Sequence, residues 1–251
     1  MFMRGFIIAI GFIFLFTGCK KDELTLPANV DFVFELNPFE TSGEKSDLKS
    51  TFAEGENPQK DKGNQFKDLI IDNATAFITS IEIEGIREQG GDVFLISEFD
   101  PPVEINLQNE QVISSDISFD IPQGVYEKLD IQFNMGDATH PALDFQGSLN
   151  QGNSSAIQFR FSYVPMEIIQ VRATRVNPSE KIVLDKHKNS QAKVTLNAEY
   201  LFQNFTLDHL NDVTAINTNN GKEVRVNNKN NKSVFGLMTG RLEQSISVIF
   251  E

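Results

Sequence analysis

Apolar and polar residues alternate with a period of two over much of this chain, from about residue 66 onward. Successive side chains of a β-strand point to opposite faces, so this pattern predicts half-buried strands. The clearest case is the series Leu129, Ile131, Phe133 and Met135. Strands that recur about every 10 residues with turns between them favour an all-β, antiparallel β-sandwich of the immunoglobulin-like or transthyretin-like type. Half-polar strands argue against a parallel βαβ architecture.

Turn residues divide these predicted strands. Residues 89–92 (Gln-Gly-Gly-Asp) and 122–124 (Pro-Gln-Gly) predict tight turns, because proline presets φ and glycine accepts positive φ. Residues 100–102 (Asp-Pro-Pro) predict a strand break, because proline lacks the N–H that a ladder needs. Between these signals, alternation assigns one strand face to Thr75, Phe77, Thr79, Ile81 and Ile83.

The N-terminal part of the mature chain predicts a lead strand at 30–39, followed by a flexible polar loop at 40–65. Either the lead strand crosses back into the main sheet, or it stands apart. Residues 66–251 are predicted to form the β-sandwich domain with a C-terminal cap. Within that cap, Asn220-Gly221 predicts a hairpin, and Phe235, Met238 and Leu242 share one face of a short helix.

Residues 1–18 have the features of a lipoprotein signal peptide. Arg4 precedes an apolar run at 5–16, which as a helix would span ~18 Å, too short for a ~30 Å hydrocarbon core. Phe-Thr-Gly then precedes Cys19, the only cysteine. We therefore predict lipidation (palmitate among the acyl chains) at Cys19 after cleavage behind Gly18, membrane attachment through these chains, and a tether at 19–29.

The predicted location is the outer membrane. Residues 20–23 (Lys-Lys-Asp-Glu) follow the lipidated cysteine and fit two interpretations. They match the Lys-plus-acidic tag that directs surface display of some lipoproteins, and they equally suit a solvated tether.

The formal net charge of −13 makes nucleic acid a poor partner, because nucleic-acid binding needs a basic face. His140, His187 and His209 lack metal-ligand spacing, and no phosphate loop or GxSxG elbow occurs. The sequence therefore predicts no cofactor and no catalytic residue. Tyr126, after the 122–124 turn, is predicted to pack at a sandwich corner. The 22 phenylalanines, in a chain without tryptophan, are expected to fill the core.

Seven carboxylates lie within a short stretch opposed only by Arg87; they are Glu82, Glu84, Glu88, Asp92, Glu98, Asp100 and Glu104. One interpretation is a calcium site built by Asp92, Glu98 and Asp100, since calcium takes carboxylate oxygens. The other, which we favour, is a solvated strand face with charged turns. Under it the chain holds no metal, and the ligand-binding residues stay unassigned.

Residues 75–133 resemble a family of Bacteroidota-type surface lipoproteins of unknown function. The resemblance rests on a strand, an Ile-Pro-x-Gly-x-Tyr turn at 121–126 and a second alternating strand. Similar lipid-anchored sandwiches occur among fimbrillin-like and glycan-system surface proteins. The resemblance implies a lipid-anchored binding or adhesion module, without catalysis, for a glycan or a protein. A structural accessory of an envelope complex and a glycan-active enzyme are the alternatives.

Overall fold

The computed structural model describes residues 25–37, 69–108, 111–112, 117–149, 156–164, 166–202, 213–219 and 221–251. Strands account for 65% and helices for 10% of the structure, in two sheets with a short C-terminal helix. The predicted all-β, sandwich-like fold is therefore confirmed. The signal peptide, Cys19, the 40–65 loop and His209 lie outside the described residues.

The strands and helices run in this order: β1 (Pro27–Asn37), β2 (Leu69–Arg87), β3 (Val93–Asn106), β4 (Gln111–Val112), β5 (Ile117–Pro122), β6 (Gly124–Met135), β7 (Leu143–Leu149), β8 (Ile157–Tyr163), β9 (Glu167–Arg172), β10 (Thr174–Arg175), β11 (Ile182–Leu184), β12 (Ser190–Asn197), α1 (Ala198–Phe202), β13 (Ala215–Thr218), β14 (Gly221–Val226), α2 (Lys232–Thr239) and β15 (Ile246–Phe250). A 3₁₀ turn at Glu243–Ser245 links α2 to β15. Strands β13 and β14 pair antiparallel with Thr218 opposite Gly221, so the predicted hairpin is present, although Asn220 itself lies outside the described residues.

The first sheet has the strand order β10-β15-β12-β1-β5. The predicted lead strand is β1, and it lies inside this sheet, parallel to β12 and antiparallel to β5. Of the two arrangements open to the sequence, the structure therefore shows the one that crosses back. Phe32 and Phe34 of β1 face the core, with 3% of each residue exposed.

The second sheet is organised around β2, which has 19 residues. One edge of β2 pairs with β3, and its other edge is shared by β7, near the start, and β6, near the end. The sheet then branches: β6 leads to β9 and β11, whereas β7 leads to β8, β14 and β13. A single strand thus joins two groups of strands.

A bulge in β2 overturns the predicted face of this strand. The register with both neighbours shifts between Ile78 and Ser80, and relative to β6 this shift inserts one residue, Thr79. Because an extra residue reverses the alternation, Ile78 faces inward together with Ile81 and Ile83. Thr75 and Phe77 therefore do not share a face with Ile81 and Ile83.

The prolines of residues 100–102 do not end the strand, which corrects the predicted break. Strand β3 continues to Asn106, and the Asp100–Pro101 peptide bond is cis. Ile78 pairs with Val103 and Ser80 pairs with Glu98, so residues 99–102 stand opposite Thr79 alone. A bulged strand has residues outside the ladder, where the missing N–H of proline is tolerated.

Three strand pairs are parallel, which differs from the purely antiparallel arrangement predicted. They are β1 with β12, β10 with β15, and β8 with β14. Alternation reports which face of a strand is buried and carries no information on strand direction. The sandwich class was therefore predictable, whereas these pairings were not.

Phenylalanine contributes nine buried side chains to the core of the described residues, in line with the expected role. Phe34 of the first sheet meets Phe133 of the second edge-on at 6.1 Å between ring centroids. The short helix α1 inserts Phe202 among Phe145, Phe159 and Phe161 at 5.4–6.2 Å. Phe94 on β3 departs from this role, because 66% of it is exposed.

Tyr126 packs at a corner of the sandwich, as predicted from its place after the 122–124 turn. Only 2% of it is exposed, and its hydroxyl donates a hydrogen bond to the Pro122 carbonyl at 2.5 Å. Burial raises the pKa of Tyr126 to about 12, against the opposing charge of Arg87. The ring lies directly over Gly85 of β2, where an added Cβ would be 2.5 Å from the tyrosine Cε1.

Gly85→Ala is expected to destabilise the protein by about 1–3 kcal/mol, the usual cost of overpacking a filled core. The Tyr126 ring cannot retreat, because it is buried and its hydroxyl is bound to the Pro122 carbonyl. Urea unfolding of the full chain measures the effect. Gly91→Ala is the matched control, since a Cβ at Gly91 meets nothing within 4 Å. Equal stability of the two variants would show that Tyr126 is not wedged against Gly85.

Candidate functional site

The outward side chains of β3, β2, β6 and β9 form one continuous surface, which we call the outer face. Strand register places its residues in three rows: Phe94, Glu84, Asp130 and Arg172; Ile96, Glu82, Gln132 and Gln170; Glu98, Ser80, Asn134 and Ile168. The apolar residues of these rows lie only on the two lateral strands, with Phe94 and Ile96 on β3 and Ile168 on β9, whereas the two central strands contribute only polar residues. The outer face therefore has a polar centre, an apolar pair on β3 and a single apolar residue on β9.

The polar centre is held together by its own bonds. Asn134 donates to the Ser80 hydroxyl at 2.6 Å and to a Glu82 carboxylate oxygen at 3.0 Å. These contacts join β2 to β6 across the face. Because the three side chains satisfy one another, their arrangement is structural.

Asp130 is the most buried carboxylate of the outer face, with 6% of the residue exposed. Lys128 Nζ lies 2.7 Å from one carboxylate oxygen, and Arg172 Nε donates to the other. Burial alone would raise the pKa of Asp130, but the hydrogen bonds and charges of Arg172 and Lys128 outweigh it and hold the pKa below its ordinary value. Asp130 is therefore an ionised structural group that ties β9 to β6.

A second polar network covers β7, β8 and β14. Asp144, with 5% exposed, accepts hydrogen bonds from Arg160 Nε and Gln146 Nε2, both at 2.8 Å. Arg225 on β14 donates to Glu223 at 2.5 Å, while its buried Nε has no hydrogen-bond partner. Each of the two arginines thus has its own carboxylate: the Asp144–Arg160 pair joins β7 to β8, whereas the Glu223–Arg225 pair lies within β14.

The edge of β3 from Val93 to Glu98 is open in the part of the chain that the structure describes. Strand β2 occupies one side of this segment, and β4 pairs only with Ile105 and Asn106 further along. Phe94 and Ile96 project outward from the open segment with 66% and 51% exposed. We call Val93 to Glu98 the β3 edge. A free edge with exposed apolar side chains is a template for another strand.

The three carboxylates considered for calcium do not converge. Asp92 and Glu98 are separated by six positions of extended chain, roughly 20 Å at 3.3 Å per residue. Among the described residues, no group of three or more His, Cys, Asp or Glu side chains could hold a metal ion. Asp92, Glu98 and Asp100 instead lie along β3, where they add negative charge beside the β3 edge.

This negative charge is uncompensated within the described residues. Glu84, Glu98 and Glu104 have no ion-pair partner there, and neither do Asp92 and Asp100. Arg87, the one cation in this stretch of sequence, donates to the carbonyls of Gly91 at 2.9 Å and Gln123 at 3.0 Å. It therefore ties two turns together at the corner of the sandwich.

The described histidines, His140 and His187, lie in loops. His140 stacks on Phe77 at 5.0 Å, and its Nδ1 lies 3.0 Å from Asp137. Asp137 also accepts bonds from the backbone N–H groups of Thr139 and His140, both at 2.6 Å. The contact with His140 lowers the pKa of Asp137 most, and these backbone hydrogen bonds lower it further. The pair shapes the β6–β7 loop. His187 donates its backbone N–H to Asp185 in another exposed loop.

The remaining tyrosines are also engaged within the fold. Tyr163 stacks on Phe235 at 5.6 Å and donates its O–H to Glu167; burial, followed by Glu167, raises the pKa of Tyr163. Tyr200 bonds Gln244 and lies beneath the Arg241 guanidinium, 4.6 Å from the ring centroid. Together with buried Tyr126, these side chains serve packing and cross-linking.

A small cavity of about 30 Å³ lies between the two sheets. Apolar side chains from both sheets surround it, among them Phe34, Met135 and Val194. Pockets that take small molecules have volumes of roughly 300–1,000 Å³, so this cavity is a packing void. Recognition by this chain is thus better supported by its surface than by its interior.

No family model, curated protein or solved structure matches the chain. In the described portion, no helix has the length and apolar character needed to cross a bilayer. What the chain binds is therefore inferred from its own residues.

The exposed apolar pair was missed at the sequence level, although a signal was present. Residues 93–96 (Val-Phe-Leu-Ile) are apolar at every position, so both faces of this strand are apolar. Such a run suits a strand buried on both sides as well as one that exposes Phe94 and Ile96.

The ion pairs of Asp130 were also not predicted from the sequence. A signal for one of them was present, because alternation places Lys128 on the same strand face as Asp130.

Asp130→Asn is expected to lower the free energy of unfolding at pH 7 by about 1–3 kcal/mol, the range for hydrogen bonds to charged groups. The folded pKa of Asp130 is below the unfolded value of about 3.9, so its contribution is present above that pH and is lost as pH falls through the folded pKa. The difference between wild type and variant should therefore narrow below about pH 4.

Urea unfolding at a series of pH values measures this difference. Glu84→Gln is the control, because Glu84 lies opposite Asp130 in the sheet without an ion pair among the described residues. It should change stability by no more than about 0.5 kcal/mol. A pH-independent difference for Asp130→Asn would contradict the assigned ion pairs.

Proposed function

We propose that this chain is a lipid-anchored, non-catalytic binding module of the bacterial envelope that recognises a protein partner through exposed strand surface. The observation that carries the proposal is the β3 edge, an open strand with Phe94 and Ile96 exposed. Elsewhere on the outer face, the polar groups of Asp130, Ser80 and Asn134 are engaged in bonds that hold the sheet together.

The proposed anchor is the acyl-modified Cys19, at the outer membrane and with surface display. Its support is the sequence of basic start, apolar run and Phe-Thr-Gly-Cys, together with the resemblance to Bacteroidota-type surface lipoproteins. Pro27 lies eight positions after Cys19, a reach of at most ~28 Å. Leu26, just before β1, accepts a hydrogen bond from Gln123 N–H at 2.9 Å. The corner with Tyr126 would thus lie nearest the bilayer.

A protein partner is favoured over a glycan by the state of the aromatic residues. Glycan recognition favours aromatic rings exposed along a groove, with polar tips available for bonding. The hydroxyls of all three tyrosines donate hydrogen bonds to groups within the fold; these residues are Tyr126, Tyr163 and Tyr200. Phe94 is exposed but has no polar group, which suits an apolar protein contact.

A structural accessory role in an envelope complex is the second candidate, and the same open edge favours it. An accessory subunit needs a long-lived contact with a fixed partner, and pairing of backbone groups along a strand supplies one. The two roles differ in the lifetime of the complex. A transient partner exchanges during purification, whereas a structural one remains bound.

The class of receptor can be tested with envelope fractions and the purified, labelled full chain in detergent. Treating the envelopes with protease before binding should abolish retention, whereas periodate oxidation of glycans should leave it unchanged. Loss of binding after periodate alone would contradict a protein partner and favour a glycan. Retention that survives both treatments would contradict the proposal altogether.

The anchor is tested by metabolic labelling with an alkyne analogue of palmitate. The wild-type chain should incorporate the label, and the mature protein should begin at a diacylglyceryl-modified Cys19 by mass spectrometry. Cys19→Ser should incorporate none, because serine lacks the thiol that is modified. Ser46→Cys in the Cys19→Ser background is the control for nonspecific thiol acylation. Labelling that persists in Cys19→Ser would contradict the anchor.

A further inference from the structure

We propose that the β3 edge accepts an extended segment of the partner protein as an added strand, and that this segment carries lysine or arginine next to apolar residues. This inference rests on the proposed function and specifies its partner. It joins three observations: an open backbone ladder, exposed apolar side chains on that ladder, and carboxylates beside it without ion pairs.

The open ladder supplies the main attraction. In an antiparallel pair, alternate residues of a strand direct their N–H and C=O groups toward the neighbour, and the others direct them away. Since β2 occupies one side of Val93 to Glu98, every second residue of the β3 edge presents its backbone groups to the open side. An extended peptide can pair with these groups along the full segment.

Phe94 and Ile96 supply apolar contacts in register with that ladder. Both lie on the outer face, two positions apart, beside Glu84 and Glu82 of β2 respectively. On an added strand, alternate side chains would lie directly beside them at the cross-strand spacing of about 5 Å. Among the large apolar residues that are exposed in the described part of the chain, Phe94 is the one aromatic residue. Aromatic residues that become buried in an interface commonly contribute much of the binding energy.

The surrounding charge selects the partner. Glu84 and Glu98 flank the two apolar residues on the outer face, and neither has an ion-pair partner among the described residues. A segment with lysine or arginine at the matching positions would compensate these carboxylates and would be steered toward them.

The same charge disfavours two other occupants of the edge. A second copy of this chain would bring identical carboxylates opposite one another, and the chain already has a net charge of −13. The chain's own residues 38–68 contain seven acidic residues against five lysines, so they are not a cationic segment. A dimer of this chain is therefore an outcome that the test has to separate from a basic partner.

Strand β9, at the opposite margin of the outer face, offers a matched comparison. Ile168 on β9 is 64% exposed, close to the 66% of Phe94. The ionic surroundings differ, because Arg172 lies at the same margin and is bound to Asp130. A peptide selected by exposed apolar surface alone would use both strands, whereas one selected by negative charge would prefer the β3 edge.

Two blocked, fluorescent decapeptides serve as probes for the full chain in detergent. Both have alternating valine, isoleucine and threonine at the centre; one has two lysines at each end, and the other has two glutamates at each end. Fluorescence anisotropy should show the lysine peptide binding about tenfold or more tightly. Phe94→Thr should weaken its binding about fivefold or more, because threonine preserves strand propensity while removing the ring.

Glu98→Gln should weaken lysine-peptide binding and leave glutamate-peptide binding unchanged or improved, while Ile168→Thr should alter neither. Any of three results would overturn the inference: equal binding of both peptides, loss of binding with Ile168→Thr alone, or concentration-dependent dimers of this chain that Phe94→Thr disrupts.

If protease-sensitive binding to envelopes persists undiminished in Phe94→Thr, the chain is still a binding module, but the assignment of binding to the β3 edge fails. If peptides bind as described but envelopes do not, the proposed function fails instead.

Discussion

The pairing of β2 on both of its edges is the constraint on which the second sheet depends. From Thr75 to Gly85 this strand has β3 on one side and β6 or β7 on the other. The Thr79 bulge lies where β7 gives way to β6, so it allows one strand to serve two partners while keeping Ile78 and Ile81 in the core. Without β2, no ladder of backbone hydrogen bonds would connect the β6 branch of the sheet to the β7 branch.

Side chains reinforce this framework where the ladder ends. Tyr126 fills the space that Gly85 leaves open, and Arg87 ties the β2–β3 turn to Gln123. On the outer face, Asp130 links β6 to β9 through Arg172. These bonds engage the polar side chains of the central strands, so the residues that can contact a partner lie at the margins of the sheet. The β3 edge combines open backbone, apolar side chains and negative charge.

Alternation and turn chemistry were sufficient to predict the all-β class, strand β6 and the corner role of Tyr126. They failed where the tertiary pairing decides the outcome: the Thr79 bulge, the passage of β3 through its prolines, and the parallel strand pairs. For the site, sequence identified the excess of carboxylates near β3 and favoured a solvated strand face, whereas the alternative calcium site required a convergence that extended geometry prevents. Exposure of Phe94 depends on which strand lies at an edge, and local sequence does not encode this.

Hydrogen exchange of the full chain, resolved to single amides, is the most direct test of this account. Amides of β2 from Thr75 to Gly85, other than that of the bulged Thr79, should exchange only through global unfolding, because both edges of the strand are paired. Every second amide from Val93 to Glu98 should exchange rapidly, since it faces an open edge. Rapid exchange throughout β2, or uniform protection along Val93 to Glu98, would contradict the account.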